Sequence, residues 1–269
     1  MEPFTGRVAL PTGVSLPYVS SGPDSGTPVL LLHAWSESAR SFDRVLPLLP
    51  PSIRALAMDQ RGHGEADKPR SGYSLDDFAE DAVAFMDAVG LSEAVLLGSS
   101  SGGYVAQQVA VTHPSRVAGL VLVGAPRSLK GRPAFADEVD RLTDPLDADW
   151  VRDSLTWFQR FHDIPDWYVD DRVQDGLRMP ARVWRDALYG LFDASAPTET
   201  GTVAAPTLVV WGDRDELLTR DHADGLVAAI PDSRLVVYEG TGHLVLWEHP
   251  ERVAADLSSF VETLRERSA

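Results

Sequence analysis

Five short, uninterrupted apolar runs constrain the fold of this 269-residue chain more than any other feature. Their residues do not alternate between apolar and polar, which is typical of strands buried on both faces of a parallel sheet covered by helices. A weaker sixth run, IRALAMD, occupies residues 53–59. The five runs are VLLL (29–32), AVLL (94–97), GLVLV (119–123), TLVVW (207–211) and RLVVY (234–238).

Helical patterns separate these runs. Apolar residues recur at helical spacing from Leu75 to Val89, with Ser74 before them as a predicted N-cap and Gly90 after them as a predicted C′ residue. The alternation of strand and helix predicts an open α/β sheet. Residues 7–20 are expected to add one or two antiparallel strands at an edge of that sheet.

Residues 126–204 interrupt the alternation. No buried-strand pattern occurs there, and the segment holds four of the seven tryptophans. The strand pattern resumes at Pro206. We therefore expect a core of residues 1–125 and 205–269, with residues 126–204 as a helical cap (lid) inserted between two halves of one sheet.

Composition excludes several classes of function. The formal net charge of −16 disfavours nucleic-acid or acidic-membrane partners, because both carry negative charge. The chain has no cysteine, so disulfides, thiolate metal sites and a cysteine nucleophile are excluded. The first residues lack the pattern of a signal peptide and no apolar run approaches a membrane span. These features predict a cytoplasmic protein with no membrane partner.

The stretch GSSSGG at residues 98–103 leaves an apolar strand and enters a helical pattern. A strand that turns sharply into a helix through G-x-S-x-G is a nucleophile elbow, in which the middle serine projects its hydroxyl above the sheet. Gly98 and Gly102 flank Ser100 at the required spacing, whereas Ser99 and Ser101 lack such a glycine pair. Ser100 is therefore the predicted nucleophile.

A serine nucleophile needs a base within hydrogen-bond reach, and that base needs an orienting partner. Asp213 and Asp215 follow the run TLVVW, and His243 follows the run RLVVY. These residues lie just past the carboxyl ends of predicted strands, where an open α/β sheet places its ligand site. His249 precedes Pro250 at a helix start and is interpreted as structural.

Five segments together resemble the α/β-hydrolase superfamily over nearly the whole chain. The resemblance implies the α/β-hydrolase fold, with a mostly parallel central sheet flanked by helices and a helical lid inserted after the sixth core strand. It also points to the branch of serine esterases and lactonases that carry a helical cap. The matching segments are LLHAW (31–35), DQRGHGEAD (59–67), GSSSGG (98–103), PTLVVWGDRDEL (206–217) and GTGHLVLWEHPERV (240–253).

The resemblance also assigns roles to residues. Asp215 ends the motif G-x-x-D and is the implied acid, with Asp213 as the alternative, and His243 in Gly-His is the implied base. Two backbone N–H groups are expected to form the oxyanion hole, one from Ser101 and one from Trp35. Trp35 follows Ala34, at a position where the family usually has glycine.

The implied reaction is hydrolysis of a carboxylic ester or lactone through an acyl-enzyme, with no cofactor and no metal. The serine at the elbow argues against the haloalkane dehalogenase and epoxide hydrolase branches, which use aspartate there. Hydrolysis of carbon–carbon bonds and cofactor-free perhydrolysis use the same triad and remain alternatives. A ligand receptor built on a hydrolase scaffold is a further alternative from a different class.

The aromatic residues of the cap predict the substrate class. We expect a small-molecule substrate that is bulky, neutral and largely apolar, bound by a monomer or a homodimer. Pockets for such ligands favour apolar and aromatic walls. The predicted substrate-binding residues are Trp35, Trp157, Trp167 and Trp184.

Overall fold

The computed structural model describes residues 4–268, and within this range the strands form a single eight-stranded sheet. The strand order is β1-β2-β4-β3-β5-β6-β7-β8. Strands β3 to β8 run parallel, while β1 and β2 form an antiparallel edge. The strands are β1 (Phe4–Ala9), β2 (Ser15–Ser21), β3 (Thr27–Leu32), β4 (Ile53–Met58), β5 (Ala94–Ser99), β6 (Val117–Val123), β7 (Thr207–Gly212) and β8 (Ser233–Tyr238).

The central strands are buried on both faces, which explains their uninterrupted apolar runs. Leu31 of β3 lies between Ala57 of β4 and Leu97 of β5, and all three side chains are fully buried. Antiparallel edge strands are expected in residues 7–20, and β1 and β2 form such an edge there. The predicted α/β fold with a mostly parallel sheet is therefore confirmed.

Ten α-helices accompany the sheet in the described part of the chain. α1 begins at a reciprocal cap, since the Ser74 hydroxyl accepts a hydrogen bond from the Asp77 N–H and the Asp77 carboxylate accepts one from the Ser74 N–H. The helices are α1 (Leu75–Ala88), α2 (Ser101–Thr112), α3 (Ala136–Asp140), α4 (Ala148–Ser154), α5 (Asp166–Arg178), α6 (Ala181–Phe192), α7 (Pro197–Thr200), α8 (Arg220–Ala229), α9 (Val245–Glu248) and α10 (Pro250–Ser268). Shorter 3₁₀ turns occupy Ala39–Phe42, Leu46–Leu48, Pro114–Arg116 and Leu155–Trp157.

Residues 126–204, which we call the cap segment, contain α3 to α7 and lie between β6 and β7. Side-chain contacts hold this segment together. The buried Trp184 ring packs edge-on against Trp150, with centroids 5.4 Å apart. Arg172 and Asp175 form a buried ion pair at 2.8 Å. The Tyr168 hydroxyl donates to the Ser41 carbonyl oxygen at 2.7 Å, which joins the cap segment to the core.

Among the helices of residues 4–268, we find none whose length and apolar character would let it cross a membrane.

Candidate active site

The turn between β5 and α2 has the backbone conformation of a nucleophile elbow. Ser100 adopts φ 49° and ψ −119°, a strained conformation for a residue other than glycine. Only glycine fits two residues before and two residues after it. A Cβ on Gly98 would lie 2.4 Å from the backbone of Gly102, and a Cβ on Gly102 would lie 2.2 Å from the Leu32 carbonyl oxygen. The turn therefore holds the Ser100 side chain at the carboxyl end of the sheet.

Three polar side chains form a continuous hydrogen-bonded chain at this edge. Ser100 Oγ lies 2.9 Å from His243 Nε2, and His243 Nδ1 lies 2.8 Å from Asp215 Oδ2. The second carboxylate oxygen of Asp215 accepts hydrogen bonds from the N–H groups of Leu217 and Leu218 at 3.0 and 2.9 Å. Asp215 is thus fixed on both oxygens and is aimed at the imidazole.

Asp213, the alternative acid, has a different position. Its Oδ1 accepts a hydrogen bond from the Gly240 N–H at 2.7 Å. This contact joins the loop after β7 to the loop after β8, which carries His243. The geometry therefore brings Asp215 to the histidine and leaves Asp213 as a support between two loops.

The loop after β3 lies directly against the start of α2. The Trp35 N–H donates to the Ser101 hydroxyl at 2.7 Å, so these two predicted oxyanion residues are in contact. The Trp35 indole N–H donates to the Trp184 carbonyl oxygen at 3.3 Å, and its ring stacks near Phe135 with centroids 5.9 Å apart. Trp35 therefore binds the start of α2 through its backbone and forms a wall of the site through its ring.

His33, which the sequence patterns did not single out, fixes this loop. The ring is fully buried, accepts a hydrogen bond from the Gln60 N–H at 2.9 Å and donates to the Ala34 carbonyl oxygen at 2.8 Å. Burial lowers the pKa of His33 to about 4, so the ring is neutral. Burial, reinforced by His33, lowers the pKa of the adjacent His63 to about 3. A histidine placed directly after a buried strand was the available sequence signal.

A small cavity of about 70 Å³ opens beside Ser100 and is lined by His243 and mostly apolar side chains. Glu37 is the charged exception that sequence reasoning missed. Its carboxylate accepts hydrogen bonds from the Trp247 indole N–H and from the Ser41 hydroxyl. Because both oxygens are engaged, Glu37 supports the wall. We call this space the inner cavity; its large apolar walls are Trp35, Phe135, Phe158, Phe192 and Trp247.

A second cavity of about 260 Å³, which we call the outer cavity, lies on the other side of His243. Its lining includes Trp157, Arg214 and Glu216 and is more polar than that of the inner cavity. The two cavities share Phe158, Leu217 and His243. The imidazole therefore stands at the boundary between an apolar and a polar compartment.

The four predicted substrate-binding tryptophans occupy different environments. Trp35 lines the inner cavity and Trp157 lines the outer one. Trp184 is 1% exposed and Trp167 is 50% exposed, and neither lines either of these two cavities. Trp184 instead donates its indole N–H to the Gly176 carbonyl oxygen, which joins α6 to α5. The structure thus moves Trp184 to the interior of the cap segment and Trp167 to its surface.

One group in residues 4–268 could hold a metal ion, and it consists of His162, Glu248 and His249, with ligand atoms within 4.8 Å of one another. These side chains have protein partners. His162 Nδ1 lies 2.6 Å from the buried Glu248 carboxylate, and His249 Nε2 lies 2.9 Å from Thr241 Oγ1. The first contact joins the cap segment to the end of α9, and the second joins the residue after α9 to the loop that carries His243.

A model of the α/β-hydrolase fold family matches residues 27–250, and the chain belongs to this family. The chain is 30% identical to a non-heme chloroperoxidase of Streptomyces lividans, over 96% of this chain and 100% of the relative. It is 28% identical to a 2-hydroxymuconate semialdehyde hydrolase of Pseudomonas sp. strain CF600, with 97% and 95% covered. The crystal structure of an esterase from Rhodococcus sp. ECU1013 has a TM-score of 0.83 at 28% identity and covers 97% of this chain and 99% of that one. These similarities support a hydrolase activity.

Proposed function

We propose that this protein is a serine hydrolase that cleaves a carboxylic ester or lactone. The observation that carries the proposal is the continuous chain from Ser100 Oγ through both nitrogens of His243 to Asp215, with contacts of 2.9 and 2.8 Å. A serine hydroxyl becomes nucleophilic when a neighbouring imidazole can take its proton and a carboxylate orients that imidazole.

In the proposed reaction, Ser100 Oγ attacks the ester carbonyl carbon while His243 Nε2 takes the hydroxyl proton. The tetrahedral intermediate collapses when His243 returns that proton to the leaving alkoxide, which departs as an alcohol. Water then attacks the acyl-enzyme, with His243 again as the base, and releases the acid and free Ser100. Asp215 stays ionised and stabilises the imidazolium that forms in both steps.

The oxyanion that forms in each step needs donors close to Ser100. The Ser101 N–H lies in the first turn of α2, where helix N–H groups lack intrahelical partners and the helix dipole favours negative charge. The loop that carries Trp35 reaches the same place. Removing one donor of an oxyanion hole typically costs about 100- to 1,000-fold in turnover, so these groups account for a large share of catalysis.

The two cavities indicate where the acyl and alcohol parts of the substrate would bind. We infer a neutral, largely apolar substrate, because the inner cavity is mostly apolar and the net charge of −16 repels anions. The inner cavity of about 70 Å³ is well below the roughly 300–1,000 Å³ of pockets that enclose drug-sized ligands, so it suits a short acyl group. A bulky leaving group would extend into the outer cavity of about 260 Å³.

The test is a matrix of neutral esters in which acyl length and alcohol size vary independently. We expect kcat/KM to fall steeply as the acyl chain lengthens and to tolerate a bulky alcohol. A fluorophosphonate should label Ser100, and peptide mass spectrometry identifies the labelled residue. Ser100→Ala should keep the fold and lose several orders of magnitude in turnover together with the label.

Two results would contradict this proposal. One is a set of saturable binding curves for small ligands with neither hydrolysis nor labelling, which would favour a receptor on a hydrolase scaffold. The other is a Ser100→Ala variant with near-normal activity.

Perhydrolysis is a second candidate, since a relative that is 30% identical is named a chloroperoxidase. Here a carboxylic acid would acylate Ser100 with loss of water, and hydrogen peroxide would take the place of water in the second step. The products are a peracid and free Ser100. Peracid formed from acetic acid and hydrogen peroxide, and absent with Ser100→Ala, is the expected sign of this activity.

A further inference from the structure

The Ser101 hydroxyl contacts one of the two amides expected to form the oxyanion hole and belongs to the residue that carries the other. It accepts a hydrogen bond from the Trp35 N–H at 2.7 Å. A serine hydroxyl has one O–H donor besides its acceptor lone pairs, so its own proton remains available. Within residues 4–268, neither this O–H nor the Ser101 N–H has a protein acceptor. Ser101 lines the inner cavity beside Ser100 and His243, so its two free donors belong to a residue of the cavity wall.

This arrangement differs from a hole made of two backbone amides. The Trp35 N–H is already used on Ser101 Oγ, so it reaches a bound oxyanion directly only if that hydrogen bond breaks. The Ser101 hydroxyl, by contrast, keeps its own proton while it accepts this hydrogen bond.

We propose that the Ser101 hydroxyl is a catalytic residue, and that the oxyanion is bound by the O–H and the N–H of Ser101. The Trp35 N–H acts through the hydroxyl, which it holds in place and polarises. This inference rests on the serine-hydrolase function proposed above and adds a donor to it.

The chemistry favours such a donor. Hydrogen bonds from an O–H to an oxyanion are charge-assisted and roughly twice as strong as neutral ones. A hydroxyl that already accepts a hydrogen bond is also a stronger donor, because chains of hydrogen bonds polarise one another. Since the Trp35 contact fixes the oxygen before substrate arrives, little reorganisation is needed as charge develops.

The test replaces Ser101 by Ala, which removes the hydroxyl and keeps the backbone N–H. We expect kcat to fall about 10- to 100-fold with KM changed little, because the donor acts on the transition state; the freed Trp35 N–H limits the loss. Affinity for a trifluoromethyl ketone, whose adduct with Ser100 carries an oxyanion, should fall in parallel. Ser101→Thr keeps an O–H and should retain more activity than Ser101→Ala.

Ser99→Ala is the matched control, since Ser99 has the same exposed fraction of 8% and lines the same cavity, but makes no hydrogen bond to Trp35. Its loss of kcat should be several-fold smaller. Chemical denaturation of each variant shows whether the fold is kept, and Ser101→Cys, with its weak S–H donor, is a second probe that should also lower kcat.

Equal or higher kcat in Ser101→Ala would overturn the inference, because the hydroxyl would then only cover the Trp35 N–H. That outcome is distinguishable from failure of the proposed function. In the first case the wild-type protein still hydrolyses esters and is labelled at Ser100. In the second case it does neither.

Discussion

The loops of the core and the cap segment meet at Ser100, yet different interactions fix them. In the core, backbone groups hold the reactive side chains, as when the N–H groups of Leu217 and Leu218 bind Asp215. In the cap segment, side chains hold one another, as in the Trp150–Trp184 ring contact and the buried Arg172–Asp175 pair.

This difference teaches that chemistry and substrate choice have separate structural supports in this fold. A reactive side chain on a core loop is placed by the strand that precedes it, so its loss should affect rate before stability. A cap residue is placed by its neighbours, so its loss should affect stability or substrate preference before the chemical step.

The most severe test of the core side compares two aspartates only two residues apart. Asp215→Asn should lower kcat about 10⁴-fold, because the amide no longer orients and stabilises the imidazolium. Asp213→Asn should be far milder, since Asp213 Oδ1 contacts the Gly240 N–H and an amide oxygen can still accept that bond. Steady-state kinetics of both variants on one ester give the two kcat values. A larger loss in Asp213→Asn than in Asp215→Asn would make Asp213 the acid.

The cap side is tested by truncating three tryptophans singly to alanine. Trp184→Ala should lower the free energy of unfolding by about 3–5 kcal/mol, because a fully buried ring leaves a cavity. Trp157→Ala should change it less and shift the ratio of kcat/KM between a small-alcohol and a bulky-alcohol ester by about tenfold or more, roughly 1.4 kcal/mol.

Trp167 is the control for both effects, since its side chain is half exposed and does not line either cavity. Trp167→Ala should change stability by about 0.5 kcal/mol or less and leave the ratio as it is. Denaturant unfolding and paired kinetics supply the measurements. If Trp157→Ala, like Trp167→Ala, keeps the wild-type ratio of kcat/KM between the two esters, the outer cavity does not select the alcohol.

The last test concerns acid stability on the core side. Because burial lowers the pKa of His63 to about 3, the unfolded chain takes up a proton below about pH 6.5 while the folded chain does not. Stability is therefore present above that pH and falls as the pH is lowered. His63 alone should contribute a loss of about 2 kcal/mol between pH 7 and pH 5, from a limiting slope of about 1.4 kcal/mol per pH unit.

His63→Gln removes this titration. The loss of unfolding free energy between pH 7 and pH 5 should therefore be smaller by about 2 kcal/mol than in the wild-type protein. Urea unfolding at pH 7, 6 and 5 measures it. Equal slopes in His63→Gln and the wild-type protein would contradict the assignment.

The sequence predicted the sheet and the elbow because local rules govern them. Continuous apolar runs indicate burial on both faces, and only glycine fits two residues before and after Ser100. The positions of Trp167 and Trp184 could not be predicted, because helical spacing does not say which neighbour a ring will meet. The contact between the Trp35 N–H and the Ser101 hydroxyl was equally hidden, since it joins residues 66 positions apart through their side-chain and backbone orientation.

The close packing at Gly98 and Gly102 also limits how this turn can vary in evolution or in a directed library. A methyl group at either position would overlap backbone atoms of the opposite segment, so single substitutions there should fail whatever side chain is chosen. The backbone of Gly102 faces the Leu32 carbonyl oxygen, so a compensating change would have to move β3 and the loop that carries Trp35 as well. The turn and that loop can therefore diversify only together, and libraries that vary the cap segment while keeping both intact offer the easier route to new substrates.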